Sequence, residues 1–156
     1  MHVYRIAKTR YIDDLRGTGA RLHGGRWNHP NTSLLYTSST RALATVEFLV
    51  HIPPAYLPQN LSMATIHIPD NIHIETLSPN DLPSNWRQYP PPQKLADMGN
   101  AWVDASRSLA WAVPSAVIPQ ESNILINPTH ADIRNITIVS IEPYIFDERL
   151  LPLQKP

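Results

Sequence analysis

A single carboxylate interrupts an apolar run in the first third of the chain. Glu47 stands in "ATVEFLVH", where most of its neighbours are hydrophobic. A carboxylate that faces a core costs free energy unless it is paired or used. The spacing of Leu43, Val46 and Val50 also allows a simpler structure, in which Glu47 lies on the polar edge of a helix. His51, one turn further on, would then be its partner.

Two side chains upstream of Glu47 are suited to binding a ligand. Arg26 follows two glycines in "GGRWN", and its guanidinium offers a planar fork for phosphate or carboxylate. The alternative is a surface arginine beside a structural tryptophan. Tyr36, in "LLYTS", either completes the edge of the core or stacks on a planar ring while its hydroxyl bonds a polar group.

Small polar residues interrupt a second apolar segment, "VPSAVIPQESNILINPTH". Ser115 and Asn123 are the candidates there, although serine and asparagine commonly cap turns. No G-x-S-x-G motif surrounds Ser115, so a serine hydrolase is not predicted. The chain also has neither a Walker loop nor a G-x-G-x-x-G that opens a helix, which argues against a Rossmann dehydrogenase.

Composition narrows the class of protein further. The 156 residues fit one domain, and 13 basic residues balance 13 acidic ones, so we expect a single domain over 1–156 and no direct nucleic-acid binding. The chain has no cysteine, which excludes disulfides and thiolate chemistry. No segment has the apolar length of a signal peptide or of a membrane span, so a soluble cytoplasmic protein without membrane contact is expected. A metal site is not expected, because a hairpin turn at Asp70 and Asn71 would put His67 and His73 on opposite faces.

Two helices and several strands are predicted to position these residues. One helix runs from about Thr40 to His51, capped by Ser38 or Ser39 and stopped by "IPPAYLP". An amphipathic pattern predicts another from about Gln93 to Ala110. The predicted strands are Val3 to Ile6, Leu34 to Ser38, Leu61 to Ile68, Ile72 to Leu77, Ser115 to Ile118, Asn123 to Ile126 and Asn135 to Glu142.

The third and fourth of these strands are predicted to form either a hairpin or two successive strands. "RGTGARLHGGRWNHPN" is predicted to be a glycine-punctuated loop, and "SPNDLPSNWRQYPPPQ" a long loop with a function in gating or partner contact. Helices and strands intermixed in this way predict a compact α+β domain.

Taken together and in order, five motifs resemble those of the RES domain family: "VYRI", "GTGARLHGGRWN", "LLYTSSTRALATVE", "VPSAVIPQESNILINP" and "FDERL". The resemblance covers the chain from Val3 to about Leu150. The family is named for arginine, glutamate and serine, and it includes toxins encoded beside Xre-type antitoxins. The resemblance implies a single compact domain related to the diphtheria-toxin-like ADP-ribosyltransferases, with NAD as a substrate and no separate cofactor.

The family's functional residues can be placed by matching motifs. The family arginine falls on Arg26, the tyrosine on Tyr36, the glutamate on Glu47 and the serine on Ser115. Ser122 is a rival for the serine. Two weaker matches add substrate-binding residues, which are Arg5 in the first strand and Asn123 in the later motif. Where a glycine is expected soon after "RWN" the chain has "HPNTS", and Asn31 is predicted to supply the left-handed turn.

The resemblance implies a role for each of these residues. Arg26 would grip the pyrophosphate of NAD and Tyr36 would pack on the nicotinamide side. Glu47 would stabilise positive charge that develops on the ribose, and Ser115 would orient the nicotinamide ribose or amide.

Three functions are open at this point. The first is a toxin of a type II toxin–antitoxin system that depletes NAD by cleaving its nicotinamide N-glycosidic bond, by hydrolysis or phosphorolysis. The second is a protein ADP-ribosyltransferase that uses NAD as donor, and the third is a non-catalytic nucleotide-binding module. The implied partner is an Xre-type antitoxin that blocks the active site.

Overall fold

The computed structural model describes residues 1–53 and 59–150, and a seven-stranded sheet lies at the centre of this part of the chain. The strands are β1 (His2–Lys8), β2 (Leu35–Ser38), β3 (Leu61–His67), β4 (Ile74–Thr76), β5 (Ala110–Pro114), β6 (Ser122–Ile126) and β7 (Thr137–Tyr144). Their order across the sheet is β4-β5-β6-β2-β1-β3-β7. Only β4 and β5 pair in parallel, and the remaining neighbours are antiparallel.

Three α-helices accompany the sheet in the described ranges. They are α1 (Thr18–His23), α2 (Arg41–Leu49) and α3 (Gln93–Ala105). Short 3₁₀ turns lie at Thr9–Tyr11, Pro79–Asp81, Ala131–Asn135 and Glu148–Leu150. The expected α+β fold is confirmed. No helix in the described ranges has the length and apolar character needed to cross a membrane.

The segment that was predicted to be only a loop contains α1, so that prediction was wrong. Gly17 (φ 64°) and Gly24 (φ 72°) lie at the two ends of this helix in left-handed or positive-φ conformations. Glycine adopts such angles without the penalty of a Cβ. The glycines therefore delimit a short helix instead of preventing one.

Helix α2 begins after a threonine cap. The Thr40 Oγ1 accepts a hydrogen bond from the Leu43 amide at 3.0 Å, which satisfies one of the free donors of the first turn. The predicted caps, Ser38 and Ser39, were wrong because Ser38 still belongs to β2 and Thr40 is the residue that caps the helix. The helix ends at Leu49, before the "IPPAYLP" segment, most of which lies outside the described residues.

Helix α3 confirms the amphipathic pattern but ends earlier than predicted. Ser106 adopts a left-handed conformation (φ 47°) and ends the helix, and β5 begins at Ala110. Leu109 is buried although it lies beyond the helix. Its position therefore extended the apolar spacing past the true end of α3.

One strand prediction was wrong. The chain from Ser115 to Ile118 forms a turn, because β5 has already ended at Pro114. Of the two alternatives predicted for the segments 61–67 and 74–76, two successive strands is confirmed and the hairpin is not, since β3 pairs with β1 and β7 whereas β4 pairs with β5. The hairpin argument about His67 and His73 therefore does not apply. Within the described ranges, no three His, Asp or Glu side chains lie close enough together to hold a metal ion.

A tryptophan cluster fixes the "GGRWN" segment against α3. Trp27 meets Trp111 edge-on at a centroid distance of 5.4 Å, and Trp102 of α3 stacks on Trp111 at the same distance. Gly99, in the middle of α3, lies against the Trp27 carbonyl so closely that a Cβ would collide with it. The position of Arg26, which precedes Trp27, is thereby tied to the core.

Candidate active site

An open cleft of about 1110 Å³ lies beside the centre of the sheet and α2. Its walls come from β1, α1, β2, α2 and the long proline-rich loop that precedes α3. Five of the six predicted site residues line it: Arg5, Arg26, Tyr36, Glu47 and Asn123. The sixth, Ser115, is fully buried directly behind Glu47.

Glu47 is held by two hydrogen bonds to one carboxylate oxygen. Its Oε1 accepts from the Ser115 hydroxyl and from the Asn123 Nδ2, each at 2.6 Å. In the described part of the chain its hydrogen bonds run to these two residues and not to His51, the partner that helix spacing allowed. Among the described residues every buried side-chain oxygen has a hydrogen-bond partner, whereas Oε2 of Glu47 has none, so Oε2 is not buried. Because Glu47 lines the cleft, Oε2 is open to it. The carboxylate is thus fixed on one side and available on the other.

Ser115 caps a turn and contacts the carboxylate with the same hydroxyl. Its Oγ accepts hydrogen bonds from the amides of Val117 (3.1 Å) and Ile118 (2.9 Å) while it donates to Glu47. The turn-capping alternative and the site assignment are therefore compatible. Ser122, the rival serine, opens β6 opposite Pro114 in the β5–β6 register.

Asn123 is oriented from both ends of its amide. The Oδ1 accepts from the Ser38 hydroxyl at 2.7 Å, which leaves Nδ2 directed at Glu47. The antiparallel register of β2 and β6 places Ser38 directly opposite Asn123. Sheet pairing therefore determines where this amide stands.

Arg26 contacts two main-chain carbonyls across the cleft. Its Nη1 donates to the Trp86 carbonyl at 2.6 Å and its Nη2 to the Gln88 carbonyl at 3.3 Å. Partial burial lowers the pKa of the guanidinium below its usual value, and the charge of Glu47 partly offsets this. An arginine remains protonated despite such a shift. A half-buried cation held by neutral oxygens is suited to receiving an anion.

The Tyr36 hydroxyl is fully engaged with the "GGRWN" segment. It accepts from the Trp27 amide at 2.9 Å and donates to the Asn28 Oδ1 at 2.7 Å. Gly25 packs so tightly against this hydroxyl that a Cβ would lie 2.6 Å from it. Burial raises the pKa of Tyr36 well above its usual range. The phenol therefore stays protonated and holds the segment that carries Arg26.

Asn28 is a residue of the site that the sequence-based prediction missed. It is only 1% exposed, and its Nδ2 donates to the carbonyls of Ala20, His29 and Thr32 at 2.8 to 3.1 Å. Together with the hydrogen bond from Tyr36 to Oδ1, these contacts give both polar atoms of the side-chain amide hydrogen-bond partners. Its place next to "GGRW" was the available signal, because a polar residue beside a buried tryptophan needs partners of its own. The left-handed turn predicted at Asn31 is confirmed (φ 77°).

Arg5 supports the wall of the cleft from the first strand. Its Nη1 donates to the carbonyls of Tyr11, Ile12 and Asp14, each at 3.1 Å. Desolvation lowers the pKa of this guanidinium, and the charges of Asp14 and Asp13 partly offset the effect. Arg5 therefore fixes the turn after β1 while it also lines the cleft.

The hydroxyl of Tyr36 gives a prediction about stability at alkaline pH. A tyrosine titrates near pH 10 in an unfolded chain. Because the pKa of Tyr36 is higher in the folded state, the unfolded state loses its proton first as the pH rises. The contribution of Tyr36 to the free energy of unfolding is therefore complete below about pH 10 and is lost as the pH rises above it. Tyr36→Phe should cost about 2 kcal/mol at pH 8, since Asn28 and the Trp27 amide lose a partner.

Urea unfolding of wild type and Tyr36→Phe at about pH 8 and about pH 10.5 measures both effects. We expect the difference in stability between the two proteins to shrink at the higher pH. An unchanged difference would show that Tyr36 is not the source of the alkaline loss.

Comparisons with known proteins identify the family of this chain. The family model described as "RES domain" matches residues 2–147. A protein named "Toxin Res" from Yersinia enterocolitica is 38% identical over 153 residues, covering 96% of this chain and 99% of the relative. A "Prs ADP-ribosylating toxin" from Sphingobium sp. is 35% identical over 147 residues, covering 93% of this chain and 91% of the relative.

The fold also matches a solved structure. The crystal structure of the M. tuberculosis MbcT–MbcA toxin–antitoxin complex contains a chain that superposes with a TM-score of 0.75 at 18% identity, covering 92% of this chain and 83% of that chain. At this identity the superposition defines the fold class, an α+β domain shared with that chain. The chain belongs to the RES domain family.

Proposed function

We propose that this protein is an NAD-consuming toxin that cleaves the bond between nicotinamide and ribose. The observation that carries the proposal is the Glu47 carboxylate, fixed through Oε1 by Ser115 and Asn123 and open at Oε2 toward a cleft that also contains Arg26. An anion-binding cation and a rigid carboxylate in one cleft suit a substrate that combines a diphosphate with a ribosyl centre. The cleft, at about 1110 Å³, has room for a dinucleotide.

The chemistry needs little proton transfer at the leaving group. The nicotinamide of NAD is a cationic pyridinium, so when the C1′–N bond breaks, the electron pair leaves with nicotinamide as a neutral molecule. Positive charge then develops on the ribosyl carbon and ring oxygen. A carboxylate held nearby stabilises this charge in the transition state more than in the ground state, which accelerates the reaction.

The contacts in the site assign supporting roles to the other residues. Arg26 would bind the diphosphate, and Tyr36 with Asn28 would hold the segment that carries it. Ser115 is buried and bonded to Glu47, so its role would be to orient the carboxylate and not to touch the ribose. Asn123 shares that task and also lines the cleft, where it can contact the substrate.

Water or phosphate would complete the reaction by adding to the ribosyl carbon. With water, the products are nicotinamide, ADP-ribose and one proton. With phosphate, the ribosyl carbon carries the phosphate instead. The cleft is open to solvent, so either small acceptor can enter.

A second candidate is transfer of ADP-ribose to a protein. The relative from Sphingobium sp. is named an ADP-ribosylating toxin and is 35% identical, which favours this alternative. Donor binding and bond cleavage would be the same, and only the acceptor would differ. A third candidate, a nucleotide-binding module without turnover, would keep ligand binding after loss of Glu47.

An antitoxin is the proposed partner of this chain. The solved structure with the matching fold is a toxin–antitoxin complex. We propose that an antitoxin of the Xre type covers the cleft and excludes NAD. Adding purified antitoxin should then abolish turnover and displace a nucleotide bound to the toxin.

The experiment that tests the function measures NAD loss and nicotinamide release by purified protein that has been freed of antitoxin. Reactions run with water alone, with phosphate, and with a cell extract and NAD labelled in its adenylate part. Label on free ADP-ribose, on a phosphorylated product or on an extract protein identifies the acceptor. No nicotinamide release by a folded protein under all three conditions would contradict the proposal.

A further inference from the structure

A short segment of the proline-rich loop borders the cleft and forms hydrogen bonds on two sides. This segment, residues 83–89, is called the strap below. On one side Arg26 reaches the strap and donates to the carbonyls of Trp86 and Gln88. On the other side Arg87 reaches out of the strap and donates through Nε to the Ala116 carbonyl at 3.0 Å. Ala116 directly follows Ser115, the residue that holds Glu47.

The strap has a defined conformation of its own. The Trp86 amide donates to the Pro83 carbonyl at 2.9 Å, and the Gln88 amide donates to the Asn85 carbonyl at 3.0 Å. These two successive turns aim the carbonyls of Trp86 and Gln88 at Arg26. The Trp86 side chain packs against the same apolar cluster that contains Trp27, so both ends of the Arg26 contact rest on one core.

Carbonyls that orient a guanidinium in advance can strengthen its binding of an anion. A guanidinium has five N–H donors, and the two strap carbonyls use one on each terminal nitrogen. The remaining donors have no hydrogen-bond partner among the described residues, so they can meet phosphate oxygens while the fork keeps its orientation. A fork that is oriented in advance loses less conformational entropy when the ligand binds.

We propose that Arg87 is a positioning residue for the anion site, because it fastens the strap whose carbonyls orient Arg26. This inference rests on the proposed function, in which Arg26 binds the diphosphate of a dinucleotide. Arg87 is exposed on the strap and lines the cleft, so a direct contact with the ligand is the competing explanation. Indirect action through Arg26 and direct contact predict different results in a double-mutant cycle.

The probe is ADP-ribose, which carries the diphosphate and is not a substrate for cleavage of the nicotinamide bond. Its affinity is measured by calorimetry for wild type, Arg87→Met, Arg26→Ala and the double variant. We expect Arg87→Met to weaken binding about three- to tenfold in the wild-type background, as for the loss of one fixed hydrogen bond, and to have almost no effect in the Arg26→Ala background. Arg87→Lys should recover part of the affinity, since an ammonium can still donate to the Ala116 carbonyl.

A matched control uses another exposed arginine that donates a side-chain hydrogen bond. Arg107 bonds Glu75 at 3.3 Å at the end of α3 and lies outside the cleft lining. Arg107→Met should leave the affinity for ADP-ribose unchanged. Thermal unfolding of each variant reports any general loss of structure.

Three results would overturn the inference. The first is an equal loss of affinity in both backgrounds, which would mean that Arg87 touches the ligand itself. The second is no loss of affinity in either background. The third is that wild type does not bind ADP-ribose. The proposed function fails separately: coupling between Arg87 and Arg26 without nicotinamide release supports the strap and refutes the enzyme. Nicotinamide release without coupling supports the enzyme and refutes the strap.

Discussion

Glu47→Gln should reduce the rate of nicotinamide release by about a hundredfold or more while NAD still binds with similar affinity. The amide keeps an oxygen that accepts from Ser115 and Asn123, so the side chain should remain in place. What it loses is the negative charge that, in the proposed reaction, would stabilise the ribosyl cation. Because the charge on the substrate ribose develops only in the transition state, the loss falls on kcat and not on binding.

The measurement compares kcat and KM for nicotinamide release by wild type and Glu47→Gln. The control is Glu75→Gln, which makes the same substitution in β4, outside the cleft lining. It should retain wild-type turnover. Equal loss of turnover in both variants would indicate general damage, and full turnover by Glu47→Gln would exclude the carboxylate from the chemistry. Binding that survives in a wild type without turnover would favour the non-catalytic module.

Local sequence signals located the helix and strand that carry the site. The polar interruption of an apolar helix marked Glu47, and the glycines before Arg26 marked a tight segment. Both signals depend on neighbours within a few residues. Five predicted residues line one cleft. The family resemblance, and not the local signals, chose them from among several polar residues with equally plausible structural roles.

The contacts that hold Glu47 were not available from local signals. Ser115 and Asn123 lie 68 and 76 residues away in the chain, and only the β2–β6 and β5–β6 pairings bring them to α2. The order of strands in a sheet depends on long-range packing, which alternation along one strand does not encode. For the same reason, the sequence left both a hairpin and two successive strands open at 61–77.

Errors at the ends of elements have a different physical origin. Helix α3 ends at Ser106, which adopts the left-handed conformation that a glycine usually supplies. Because the residue is a serine, the usual sequence signal for the end of a helix was missing.

Arg87 was overlooked as well, because an arginine in a proline-rich loop has the composition of a solvated segment. Its partner, the Ala116 carbonyl, is a main-chain atom and leaves no trace in the sequence.

Gly99→Ala should destabilise the protein by about 3 kcal/mol or more, because the new Cβ would overlap the Trp27 carbonyl. That carbonyl belongs to backbone fixed by the Tyr36 hydroxyl and by the tryptophan cluster, so it cannot move aside without disturbing Arg26. Urea unfolding should therefore show a lower midpoint, with a slope close to that of wild type.

Gly19→Ala provides the matched control, since a Cβ there would have no heavy atom within 4 Å and the residue lies inside α1. Alanine is the better helix former by about 1 kcal/mol, so this substitution should leave stability unchanged or raise it. Equal behaviour of the two variants would mean that helix propensity decides both cases. A large loss of stability confined to Gly99→Ala would show that the close approach of α3 holds the segment that carries Arg26. That segment would then connect the apolar core to the cleft.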